Sequence, residues 1–182
     1  MKATGIVRRI DDLGRVVIPK EIRRTMRIRE GDPLEIYTDR EGEVIFKKYS
    51  PIGELSSFAA QYAEALWKTC GVSVVICDRD AVIACAGVPK KEYLEKKISE
   101  ELEEVMGGRS LFVADDDGKV CAVHDAESYY VGCAMPIINE GDVIGCVAAL
   151  HTADGNGAGA AGEVEQKLIS TAASFLGKQM ES

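Results

Sequence analysis

The first fifty residues carry the tightest constraint on the fold. They read as four short apolar strands and one helical stretch, with no cysteine among them to staple or ligate anything. A segment of that size buries too little apolar surface to stand alone unless a disulfide, a metal or another chain completes its core. Neither of the first two is encoded here, so the expectation is an obligate dimer. The strands are "TGIVRRI" (4–10) and "RVVI" (15–18) about the turn "DDLG", then "LEIYTD" and "EVIFKKY" about "REGE". Between the pairs, Pro19 suits the first position of a helix continued by "KEIRRTMRI". Within that stretch Ile22 and Met26 are four apart and can face a core, while Arg23, Arg24 and Arg27 take the polar side.

Charge sets this segment apart from the rest of the chain. The 182 residues have a formal net charge of −8, yet residues 1–29 hold nine basic and three acidic side chains. Residues 1–50 have 12 Lys and Arg against 9 Asp and Glu, whereas the remainder has 10 against 21. A basic segment on an acidic body suggests an anionic partner for one part of the chain. "KKYSPIGEL" (47–55) interrupts the pattern with Ser-Pro and Gly. It divides the chain into a first domain at 1–52, a linker at 53–55 and a second domain at 56–182.

The second domain is patterned as an α+β unit. Leu55, Phe58, Tyr62 and Leu66 repeat at helical spacing, and "VSVVICD" and "AVIACAG" form a hairpin about "RD". "KKEYLEKKISEELEEVMG" (90–107) reads as one long helix with Tyr93, Leu94, Ile98, Leu102, Val105 and Met106 on its apolar stripe. Strands follow near "SLFVA", "KVCAVH", "SYYVGCAMPII" and "DVIGCVAALHT". The loop "ADGNGAGAAG" (153–162) leads to a last helix with Val164, Leu168, Ala172, Phe175 and Leu176 on one face.

Several function classes lose ground at once. No apolar run approaches the roughly 20 residues of a membrane helix, and the charged N-terminus does not read as a signal peptide, so the cytoplasm is expected. None of the six cysteines lies within four residues of another, which leaves no zinc-type pair. Most sit in apolar company and read as small buried hydrophobes. His124 and His151 stand alone, the glycine-rich loop lacks the lysine of a P-loop, and no cofactor is expected.

The basic segment points instead to nucleic acid. A single exposed arginine more often decorates a solvated face or pairs with a neighbour such as Asp11, Asp12, Glu21 or Glu30. Six of them within 20 residues of an acidic protein (Arg8, Arg9, Arg15, Arg23, Arg24 and Arg27) suit phosphate oxygens and guanine edges, which match the planar guanidinium fork. Strand alternation turns Arg15 away from Val16 and Ile18, and upstream it favours Arg9 over Arg8 as the outward residue. Lys2 and Lys20 extend the same basic set.

The string "TGIVRRIDDLGRVVIPKEIRRTMRIREGDPLEIYTDREGEVIFKKY" resembles the DNA-binding domain of the AbrB-like transition-state regulators over nearly all of residues 3–49. The resemblance implies a swapped-hairpin β-barrel in which two chains interleave around one core. It implies DNA contact through Arg8, Arg15, Arg23 and Arg24, preferring Arg8 where parity prefers Arg9. The chain as a whole is similar to spore-development regulators that join such a domain to a GAF-like sensory domain. That likeness implies a forespore transcription regulator with no enzymatic activity, acting on promoter double-stranded DNA as activator or repressor. It also implies tetramers through the helices near 54–69 and 163–180, and leaves room for an unidentified small-molecule effector. The signature of cyclic-nucleotide-binding GAF domains is absent. Two other classes compete: a MazE-fold antitoxin, whose toxin-binding tail is usually short, and a GAF-type thiol sensor, which needs cysteines to converge.

Overall fold

The computed structural model describes residues 5–115, 119–124, 126, 128–152 and 161–180, and the chain divides into two units, 1–49 and 50–182.

In the first unit, a polar turn is the local organiser. Asp11 Oδ1 accepts the amides of Leu13 (3.1 Å) and Arg15 (2.8 Å), and the backbone closes with Asp11 N donating to Arg15 O and Gly14 N to Asp11 O. Gly14 has φ +76°, a left-handed geometry this turn requires and glycine adopts without strain. The flanking segments, expected as strands, form no ladder among the described residues. Most of their apolar side chains stand in solvent, with Val7 85% and Val17 71% exposed, while Ile18 is half-buried. A helix, α1 (Lys20–Thr25), follows Pro19, which is its N-cap rather than its first residue. Strands β1 (Leu34–Thr38) and β2 (Val44–Lys48) pair antiparallel, Ile36 opposite Phe46, as the sequence predicts.

The second unit is built on a five-stranded antiparallel sheet of order β4-β3-β7-β6-β5. Short α2 (Pro51–Glu54), capped by Ser50, leads into α3 (Ser56–Cys70). Then come β3 (Val74–Asp78), β4 (Val82–Ala86), α4 (Lys90–Tyr93), α5 (Glu100–Gly107) and β5 (Phe112–Val113). The long strands β6 (Tyr129–Asn139) and β7 (Asp142–Thr152) form a hairpin, and α6 (Glu163–Gln179) follows. Glu140 and Gly141 both have positive φ at its turn, the two-residue geometry that suits strand twist.

Alternation along the strands supplies two cores, one per face of the sheet. Val74, Ile76, Val147 and Ala149 pack with Ile52, Leu66, Ile169 and Leu176 of α2, α3 and α6. Val75, Cys77, Cys146 and Ala148 pack on the other face with Tyr93, Ile98, Leu102 and Met106. At Gly177 the helix touches the sheet closely enough that a Cβ would come within 2.5 Å of Ile138 O.

Three expectations are corrected. The single helix at 90–107 is broken: Leu94 is extended, and 95–98 runs beside β4, with Glu95 N donating to Val82 O, Val82 N to Lys96 O and Ile98 N to Asp80 O. A new helix then starts at Ser99, whose Oγ accepts from Leu102 N (3.0 Å) and donates to Cys121 O (2.6 Å). "KVCAVH" contributes one isolated bridge, Ile98 to Val123, instead of a strand. Finally, α6 buries Ile169, Ala172, Ala173 and Leu176, leaving Val164 74% and Phe175 39% exposed. The buried face is thus rotated from the expected stripe, with Ile169 and Ala173 in it and Val164 and Phe175 outside, while Ala172 and Leu176 belong to both.

Candidate nucleic-acid interface

The basic residues of the first unit lie on two local structures. Arg8 and Arg9 are both exposed on the segment before the Asp11 turn, and Arg15 is exposed just after it. Arg15 is the one arginine of the set for which the neighbour-pairing alternative holds: its Nε donates to Asp11 Oδ2 at 2.8 Å. That bond uses Nε and leaves the Nη edge of the fork for an anion. The Arg15 amide and then its guanidinium hold the Asp11 carboxyl below its ordinary value.

Helix α1 carries Lys20 and Arg24 exposed and Arg23 half-buried. Arg23 Nε is shielded from solvent and has no hydrogen-bond partner among the described residues. The helix ends with Ile28 N donating to Arg23 O (2.8 Å) and Arg27 N to Arg24 O (3.3 Å), with Arg27 at φ +51°. This closes the helix in the manner of a Schellman motif, with arginine where glycine is usual. Ile22 is half-buried, while Met26 is 52% exposed. Lys2 lies outside the described residues. Helix α1 is six residues long and carries Arg23 and Arg24 in its last turn.

Apolar surface lies beside this charge. Among the described residues, twelve of the seventeen exposed large hydrophobic side chains belong to residues 6–49, including Ile36 at 62%, Val44 at 58% and Phe46 at 40%. No helix among the described residues is long and apolar enough to cross a membrane.

The second unit offers different chemistry. An open cleft of about 690 Å³ is lined by Cys70, Ser73, Leu150, His151, Val164 and Glu165, among others. His151 Nε2 lies 3.0 Å from both carboxylate oxygens of Glu165. Gly132 makes room for that imidazole, since a Cβ there would meet the ring. Sequence alone did not find this pair, because fourteen residues separate its members and a helix begins between them. The glycine-rich loop expected at 153–162 falls mostly on 153–160, outside the described residues.

The cysteines mostly match the buried reading. Cys77, Cys85, Cys133 and Cys146 are buried, Cys121 is half-buried and Cys70 is exposed. Burial raises the Cys85 thiol and pushes Cys133 up to about 12. A hydrogen bond with Cys77, and then burial, raises Cys146. Thiols held protonated in this way are poor nucleophiles.

A small basic unit with an incomplete apolar core, joined to an acidic sheet-and-helix unit of GAF type, defines a two-module regulator. The chain belongs to the family described as Stage V sporulation protein T C-terminal, transcription factor, whose model matches residues 54–181. Residues 7–53 match a second family, described as antidote-toxin recognition MazE, bacterial antitoxin. The chain is 58% identical to Stage V sporulation protein T of Bacillus subtilis (strain 168), over 100% of this chain and 99% of that protein. It is 65% identical to the transition state regulatory protein AbrB of the same organism over 51 residues, 28% of this chain and 52% of that one. In structure, the GAF domain from a phosphoenolpyruvate-protein phosphotransferase of Coxiella burnetii matches with a TM-score of 0.52 at 21% identity, covering 70% of this chain and 82% of that one. That likeness shows the GAF fold of the second unit.

Proposed function

We propose that this protein is a cytoplasmic, non-enzymatic regulator of sporulation genes in the forespore, binding promoter double-stranded DNA as an interleaved dimer. The observation that carries the reading is the 58% identity to Stage V sporulation protein T along the whole chain. Arg8, Arg15, Arg23 and Arg24 make the central contacts, and Arg9, Lys20, Arg27 and Lys2 add to the field. The exposed apolar residues of 5–19 and of the β1–β2 hairpin become the shared core. Phosphate contacts set register, and local DNA shape contributes selectivity. The second unit carries the sensory and oligomerising role, its core beginning with Ile52 of α2. It joins dimers into a tetramer through α3 and α6, where Phe58 and Tyr62 each lie 5.8 Å from Phe175 by ring centroids. The cleft at His151 and Glu165 is the place for a small-molecule effector.

The antitoxin match to residues 7–53 supports a second reading for the first unit alone. A packed GAF-type unit in place of a short toxin-binding tail favours the regulator. Replacing Arg23 and Arg24 together by alanine should abolish binding to promoter DNA while the dimer persists in sedimentation. Each phosphate contact should add about −0.9 to the slope of log affinity against log salt. Unchanged binding in the double variant, or a salt-independent affinity, overturns the assignment.

A further inference from the structure

Lys48 looks like one more basic residue of a DNA-binding unit, but its ammonium is turned inward. Its side chain is 24% exposed, and Nζ donates to Arg27 O at 2.9 Å while lying 3.9 Å from Asp32 Oδ2. The Asp32 side chain is 5% exposed, and its Oδ2 accepts the Arg29 amide at 2.8 Å. The two side chains therefore grip the backbone immediately after Arg27, one at its own carbonyl and the other at the amide two residues on. Arg27 is held at φ +51°, a conformation that residues with a Cβ adopt reluctantly and keep only when their surroundings impose it. The same turn closes α1 through the carbonyls of Arg23 and Arg24.

We propose that Lys48 and Asp32 are positioning residues for DNA recognition: a clasp from the end of β2 that fixes the C-terminal turn of α1 and so the aim of Arg23 and Arg24. A carboxylate as buried as Asp32 is costly without compensating partners, and the Arg29 amide and the Lys48 ammonium supply them. Removing the ammonium takes a charged donor from the Arg27 carbonyl and a charged neighbour from the Asp32 carboxylate. The left-handed turn then loses what holds it, and the arginines above it lose a fixed direction while keeping their charge.

The proposal rests on the assignment of Arg23 and Arg24 to DNA, and its test separates the two. The full-length chain would be titrated, across a salt series, with a promoter duplex selected by the wild-type protein and with a random-sequence duplex of equal length. Lys48→Met should weaken binding to the selected duplex about tenfold, the effect of a lost charge-assisted hydrogen bond. Its salt slope should stay that of the wild type, and binding to the random duplex should hardly change. Asp32→Asn should behave alike, the double variant should add little further loss, and Lys48→Arg, which can donate to the same carbonyl, should keep most of the affinity. A slope reduced by about 0.9 on both duplexes would make Lys48 a phosphate contact and overturn the clasp. A lowered melting temperature with unchanged selectivity below it would make the pair merely structural and overturn it equally. If Lys48→Met fails to fold, Asp32→Asn and Lys48→Arg carry the same comparison. Full binding by the Arg23 and Arg24 double variant would instead defeat the underlying assignment.

Discussion

The two units treat apolar surface in opposite ways. Every buried hydrophobic residue described lies between Ile52 and Leu176, in the second unit, while residues 6–49 leave Val7, Ile10, Leu13 and Val17 at least 69% exposed. The second unit completes its own core on both faces of one sheet. The first leaves most of its large apolar side chains in solvent while its hydrogen-bonding turns are in place. On the proposed assignment, a second copy completes that core and brings the arginines into their working arrangement.

The largest expected effect comes from charging the unfinished face. Ile36→Asp puts an unpaired carboxylate into the proposed shared core, at a cost of about 3 kcal/mol or more, so the dimer dissociation constant should rise at least a hundredfold. Sedimentation and DNA titration would report it, with the melting transition of the second unit unmoved. A monomeric Ile36→Asp chain that still binds promoter DNA at full strength would break the comparison.

The complementary substitution in the self-sufficient unit should stay local. Leu102 is fully buried between α5 and the sheet, and Leu102→Ala should cost about 3 kcal/mol. Calorimetry should show the second unit melting several degrees lower, with DNA affinity unchanged well below that transition. A loss of DNA binding at low temperature would mean the units are not separable in the way their cores suggest.

Legibility in the sequence tracks the range of the forces involved. The β1–β2 and β6–β7 hairpins were legible because Arg-Glu-Gly-Glu and Asn-Glu-Gly-Asp encode their turns locally. The arginine cluster was legible because charge density needs no fold. The 90–107 helix was misread because Leu94 and Ile98 satisfy a 3.6-residue spacing, while residues 80–82, some fifteen residues upstream, take the backbone of Glu95, Lys96 and Ile98 in bridging hydrogen bonds. Ser99 ahead of two glutamates was the N-cap signal that marked the break. The segments 4–10 and 15–18 carry strand patterns, but the ladder partners proposed for them lie in another chain. Lys48 was passed over because nothing local distinguishes a clasping lysine from a solvated one; its partners are 16 and 21 residues away.

The smallest effect concerns how the first unit orders itself without a core. In the second unit burial raises thiols, as at Cys133. The first does the reverse at Asp11, where the Arg15 amide, the Arg15 guanidinium and the Leu13 amide all favour the charged carboxylate. A carboxyl lowered in the folded state contributes stability that is complete above its unfolded value and is lost as pH falls through the lower folded one. The Asp11 contribution should therefore be constant from pH 7 down to about 5 and vanish only below the ordinary value of 3.8. Because the group is fully exposed, the effect on global stability should be slight and the local effect plain. In an NMR titration the Asp11 carboxyl should have a midpoint below 3.8, and the amide shifts of Leu13 and Arg15 should move with it. A midpoint at or above that value would mean the turn is not held by its aspartate. Arg15 would then reach DNA from a loose hairpin, and the order of this half of the comparison would come from the partner chain alone.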